Sequence, residues 1–131
     1  MTVVLDSWAV LRYLEGTGEA AGAVADLLDG DRPLMSWINL GEVHYVLRRL
    51  HGEDDASETV RDLRDVIDAR LPDERLVLDA ARIKADQPMA YADAFAAALA
   101  IAQDAVLWTG DPELLVNRAV WQWRDLRPIG V

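Results

Sequence analysis

The 131-residue sequence contains no cysteine, which excludes disulfides and thiolate metal sites and agrees with a reducing, cytoplasmic setting. Positive charge is scarce. Lys and Arg together number 13 against 23 Asp and Glu, for a net charge of −10, so the chain lacks the basic face by which many proteins hold nucleic acid through field alone. Lys84 is the single lysine; the other basic residues are arginines, whose planar fork suits phosphate, although a GC-rich genome produces the same bias. No uncharged stretch approaches the ~18 residues of a membrane span. Residues 1–10 have no basic leader and carry Asp6 inside the apolar run, so no secretory signal is expected. Repeats and low-complexity tracts are absent, and the loops Gly16 to Gly18, Gly30 to Pro33 and Gly52 to Asp55 are too short to separate domains. With 52% hydrophobic residues, residues 1–131 are expected to form one domain, a size that buries roughly two-thirds of the unfolded surface.

Short apolar runs without period-two alternation read as strands buried on both faces: Thr2 to Leu5, Leu34 to Ile38, Ala105 to Trp108, and Arg75 to Leu78 as a fourth. Helical patterns lie between them, at Trp8 to Leu14, Glu19 to Leu28, Leu40 to Leu50, Ser57 to Leu71, Ala80 to Lys84 and Ala92 to Gln103. Pro128 allows at most a short edge strand after Asp125. Alternating strands and helices imply an α/β fold of three layers, helix, sheet, helix, around a parallel sheet of four to five strands. The pattern Val60, Leu63, Ile67, Leu71 makes an ordinary amphipathic surface helix. Ala92 to Gln103 is apolar nearly all round and should be central, which makes Asp93 in its first turn a charge in need of a partner.

Four carboxylates stand out, and each has a purely structural reading. Asp6 can cap the helix after the first strand. Asn39 and Glu42 have the spacing of a capping box, Asp93 can complement a helix dipole, and Asp111 before Pro112 suits a cap. Together they say more, because Asp6 and Asp111 follow strand ends and all four are expected where helices begin. In an open parallel sheet, loops leaving the carboxyl ends of strands share one ligand-binding edge. A helix from Asp93 to Gln103 runs out ~15 Å at ~1.5 Å per residue, and a strand from Ala105 to Thr109 returns ~16 Å at ~3.3 Å per residue, which brings Asp111 back beside Asp93. Four anions in one cleft call for a cation. Oxygen donors with no Cys and no inward His favour Mg²⁺ or Mn²⁺ over Zn²⁺. His44 and His51 read as surface or core-edge residues, and the tryptophans at 8, 37, 108, 121 and 123 could stack bases but more simply pack.

The segments Val3-Val4-Leu5-Asp6-Ser7, Ser36-Trp37-Ile38-Asn39-Leu40-Gly41-Glu42-Val43, Ala92-Asp93-Ala94-Phe95-Ala96-Ala97-Ala98-Leu99-Ala100 and Leu107-Trp108-Thr109-Gly110-Asp111-Pro112 together resemble, in order, the PIN-domain ribonucleases, and in particular the VapC toxins of bacterial toxin–antitoxin pairs. The resemblance covers nearly the whole chain except Trp121 to Val131. It implies a PIN fold, cleavage of RNA phosphodiesters, one or two Mg²⁺ or Mn²⁺ ions, a homodimer and a basic antitoxin partner. The family's acidic quartet would fall on Asp6, Glu42, Asp93 and Asp111, with Ser7 and Thr109 as supporting hydroxyls.

Other chemistries fit less well. A phosphoaspartate phosphatase needs a second Asp two residues after the first, where this chain has Trp8, and a response receiver needs a lysine after a late strand, whereas Lys84 falls in a helical pattern. A catalytically silent module that holds basic peptides in an acidic cleft, and a housekeeping PIN nuclease without an antitoxin, are the remaining alternatives.

Overall fold

The computed structural model describes residues 1–128. Five strands, β1 (Val3–Leu5), β2 (Leu34–Ser36), β3 (Asp68–Arg70), β4 (Val106–Thr109) and β5 (Gln122–Asp125), form one sheet in the order β3-β2-β1-β4-β5. Every pairing is parallel. The chain builds outward from β1 to β3 and then returns to place β4 on the other side of β1, so the point where strand order reverses lies between β1 and β4, the position at which open parallel sheets bind ligands.

Side-chain alternation along the strands divides the core. Val4, Leu34 and Leu107 face one layer, with α5 (Glu74–Asp86) and α6 (Tyr91–Ala102). Val3, Leu5, Met35 and Trp108 face the other, with α1 (Ser7–Glu15), α2 (Gly18–Gly30), α3 (Trp37–His51) and α4 (Glu53–Val66). Both faces of the central strands are therefore covered, as continuous apolar runs require. In α6 the residues from Asp93 to Ala100 are all buried, and its alanines let the helix lie close to both the sheet and α5. No helix among the described residues is long and apolar enough to cross a membrane.

Several elements differ from expectation. Arg75 to Leu78 is helical: Asp73 caps α5 by accepting from the Leu76 amide at 2.9 Å, and Leu76, Val77, Ala80 and Ile83 then face α6 at helical spacing. A run of four apolar residues cannot by itself separate strand from helix. The fourth strand is instead Asp68–Arg70, an edge strand registered on Leu34–Ser36. Accordingly α4 stops at Val66, where Ile67 turns extended and stays buried, while Leu71 stands 79% exposed. Helix α4 also starts earlier, at Glu53, inside the segment read as a loop. The second strand ends at Ser36, whose hydroxyl accepts from the Ile38 amide and so starts α3 at Trp37. The last strand ends at Asp125 rather than following it; residues 129–131 lie outside the described residues.

Candidate functional site

Asp6 follows β1 directly and caps α1, accepting from the Ala9 amide at 2.9 Å through Oδ1. Its other oxygen accepts a hydrogen bond from the Thr109 hydroxyl at the end of β4. The cap and the site are thus the same carboxylate. Thr109 is itself buried and accepts from the Asp111 amide at 2.9 Å, so one hydroxyl ties the ends of β1 and β4 across the reversal point and sets the loop that carries Asp111. Gly110 completes this joint. A Cβ there would fall inside the Trp8 indole, so only glycine lets α1 and the loop after β4 close on each other.

Asp93 lies in the first turn of α6, and its carboxylate, with those of Asp111 and Glu113, forms a trio in which one oxygen from each lies within 4.8 Å of the other two. The return of Asp111 beside Asp93 follows the run-out and run-back of helix and strand. Asp111 does not cap a helix: residues 112–114 form a turn, with Asp111 Oδ1 accepting from the Glu113 amide at 3.0 Å. That turn brings in Glu113, which sequence reasoning did not single out. Its signal was a second carboxylate two residues beyond the first, across a proline.

Glu42 sits in the second turn of α3 rather than at its start. It is half-buried and accepts from the Ser7 hydroxyl through Oε1. Asn39 is not part of a capping box, because Ser36 caps this helix. Asn39 is fully buried, and its Nδ2 donates to Ser7 Oγ at 3.3 Å and to the Ala92 carbonyl at 3.1 Å. One side chain thereby links the start of α1, the start of α3 and the residue before Asp93.

The electrostatics show how close these groups are. Burial pushes the Asp6 carboxyl up to about 7 against the opposing hydrogen bonds from Thr109 and Ala9, and the charges of Asp111 and Glu42 add to the rise. Asp93 is pushed up to about 8, first by burial, then by the adjacent Asp111 carboxylate, with further contributions from Asp6 and Glu42. Asp6, Glu42, Asp93 and Asp111 therefore feel one another's charge, although Asp6 and Glu42 do not join the tight trio. No salt bridge among the described residues neutralises any of them. A cluster of oxygen donors that disfavours its own ionisation, with no Cys or His in it, has the chemistry of a site for a hard divalent cation.

His44 pairs with Glu53 at 3.0 Å and has no place in the cluster. A cavity of about 690 Å³ lies between the start of α5 and the last turn of α6 and contains none of these acids. Its lining combines Leu71, Leu76 and Ile101 with the charged side chains Arg70, Arg75, Arg82, Asp73 and Asp79.

No curated protein sequence matches this chain significantly. Among solved structures, the chain is similar to VapBC-1 from nontypeable Haemophilus influenzae, with 22% identity, TM-score 0.74 and coverage of 96% of this chain and 98% of that one. It is similar also to DNA-bound VapBC from Salmonella typhimurium, at 15% identity, TM-score 0.76 and 97% and 99% coverage. A third likeness is to VapC20 of Mycobacterium tuberculosis, described as a toxin that cleaves the sarcin-ricin loop, at 16% identity, TM-score 0.70 and 85% and 91% coverage. At such identities these likenesses establish the fold. The PIN domain family model matches residues 3–119, and with that match over most of its length the chain belongs to the PIN domain family.

Proposed function

We propose that this chain is a divalent-metal-dependent endoribonuclease acting in the cytoplasm as the toxin of a toxin–antitoxin pair, with residues 1–131 as one PIN domain. The observation that carries the reading is the oxygen-only trio Asp93, Asp111 and Glu113 beside a buried Asp6, at the strand-order reversal of a parallel sheet. The family match and the toxin identity of the similar structures support it.

Asp93 and Asp111 would hold Mg²⁺ or Mn²⁺, with Glu113 and Asp6 completing one or two oxygen sites. The bound cation supplies Lewis-acid polarisation of a phosphate oxygen and of water. Thr109 and the Ala9 amide hold the Asp6 carboxylate at a fixed angle. Ser7 donates to one oxygen of Glu42 and Tyr45 to the other, which would hold its carboxylate to orient the attacking water. These residues sit on the ends of strands and the first turns of packed helices, which position groups more firmly than free loops do.

The similar structures include VapBC complexes from Haemophilus and Salmonella, which supports a protein antitoxin as partner here. A basic segment of such a partner suits the acidic crevice, where Arg or Lys can take the place of metal at Asp6, Glu42, Asp93 or Asp111. A homodimer is part of the same reading; Val120 and Trp123 are apolar residues exposed by 75% and 36% that a partner subunit could cover.

The reading is tested with purified protein and a single-stranded RNA. Cleavage should vanish in EDTA, return with Mg²⁺ or Mn²⁺, and stay absent in Asp6→Asn. A protein that binds basic peptides but never cleaves RNA in either metal is the silent acidic module instead.

A further inference from the structure

Two arginines lie over aromatic rings at the borders of the carboxylate crevice. On α1, the Arg12 guanidinium lies 4.8 Å from the centre of the Trp8 ring. On α3, Arg49 lies 4.9 Å from the centre of the Tyr45 ring. The two pairs are not equivalent. Trp8 is partly buried and packs on Gly110, and Arg12 is paired with Glu15 at 2.9 Å, so the first pair serves packing. Tyr45 is 45% exposed, Arg49 is exposed, and neither belongs to a hydrophobic core cluster.

The position of Tyr45 gives the second pair a meaning. Its hydroxyl donates to Glu42 Oε2 at 3.4 Å, the oxygen that Ser7 leaves free. A flat, exposed ring therefore begins where the acidic site ends, with a guanidinium over it. Aromatic faces and guanidinium planes stack nucleobases whatever the sequence, and the arginine adds positive charge for the backbone. A chain of net charge −10 cannot gather RNA by its overall field, so its affinity must come from local contacts of this kind. Building on the nuclease reading above, we propose that Tyr45 and Arg49 form a nucleobase-stacking subsite for the base next to the scissile phosphate, with Tyr45 as the platform and Arg49 as its cationic partner.

The test uses the full chain, Mn²⁺ and a series of single-stranded RNA oligonucleotides in which each position around the cleavage point is made abasic in turn. With the native protein, one abasic position should raise KM by about 5- to 150-fold, the range that loss of one stacked base gives. Tyr45→Ala should raise KM to a similar extent on the intact RNA while changing kcat little, and should be indifferent to the abasic position that hurts the native protein, since the two losses remove one contact. Tyr45→Phe should keep the native pattern, because the ring remains when the hydroxyl is gone. Arg49→Ala should raise KM less than Tyr45→Ala.

The proposal is overturned if Tyr45→Ala leaves KM within twofold, if the abasic penalty is the same in native and Tyr45→Ala proteins, or if Tyr45→Phe behaves as Tyr45→Ala, which would make the hydroxyl on Glu42 the active part. These failures leave the nuclease reading standing. If the native protein cleaves no RNA, the nuclease reading fails on its own, and fluorescence anisotropy of the same labelled RNAs with Mn²⁺ then tests the subsite: weaker binding by Tyr45→Ala, confined to RNAs that keep the base, upholds it, and equal binding overturns it.

Discussion

Asn39, buried in the first turn of α3, donates to the carbonyl of Ala92 at 3.1 Å, one residue before Asp93. The same amide group reaches Ser7 Oγ, which in turn holds Glu42. Asn39→Ala removes both bonds and leaves the buried Ser7 hydroxyl and the half-buried Ala92 carbonyl without this donor, so it should destabilise the fold by about 2 kcal/mol and weaken Mn²⁺ binding through misplacement of Asp93 and Glu42. Urea unfolding and calorimetric Mn²⁺ titration of the variant measure the two effects. Unchanged metal affinity in a destabilised variant would confine Asn39 to packing.

Charge removal at Asp93 separates a ligand from a helix-dipole partner. In EDTA at neutral pH the folded protein keeps on Asp93 a proton that the unfolded chain releases, a cost that Asn does not carry, so Asp93→Asn should melt higher than the native protein and gain less from added Mn²⁺. A dipole role predicts the opposite sign, a loss of roughly 0.5 kcal/mol without metal dependence. Thermal melts of both proteins in EDTA and in saturating Mn²⁺ distinguish the two.

The raised carboxyls also fix the sign of a pH dependence. Asp6 is pushed up to about 7 and Asp93 to about 8, whereas in the unfolded chain both ionise near pH ~4. Between these values the unfolded chain has released protons that the folded chain keeps. The metal-free contribution to stability is therefore complete below about pH 4, declines as pH rises through 7 and 8, and is flat above. Melts in EDTA across that interval should fall with pH, and the slope should be smaller in Asp93→Asn. A native slope that the substitution leaves unaltered would remove Asp93 from the coupled set.

Metal-activated water as nucleophile gives the RNA 2′ hydroxyl no chemical role. Cleavage should leave 5′ phosphate and 3′ hydroxyl ends, and an RNA with a 2′-deoxy residue at the cut should still be cleaved. Mass spectrometry of the fragments reads this directly; 2′,3′-cyclic phosphate ends would contradict the mechanism.

The legibility of the site in sequence followed burial. Asp6 and Asp111 stand out because each closely follows an apolar run that reads as a covered strand, and Asp93 because it interrupts an all-apolar helix. Glu113 does not, since a half-turn of exposed polar residues carries no periodicity, and only the turn at Asp111 folds it back. The spacing of Asn39 to Glu42 matches a capping box, but Ser36 three residues earlier caps α3 and takes that role. Edge strand Asp68–Arg70 offers one apolar residue, Ala69, so nothing distinguishes it from the end of the preceding helix, while Arg75 to Leu78 imitates a strand until its register with Ala80 and Ile83 is seen. Tyr45 and Arg49 lie one helical turn apart on a helix surface, a pairing whose importance depends on Glu42 being next to them in space.

Binding of a divalent cation by these carboxylates is read by calorimetric titration of Mn²⁺ into the metal-stripped native protein at about pH 8. Saturable binding at one or two sites is expected, with release of protons that grows when the titration is repeated near pH 7, and with loss of that binding in Asp93→Asn. No saturable heat in the native protein, or an isotherm that Asp93→Asn leaves unchanged, would contradict metal binding by these carboxylates.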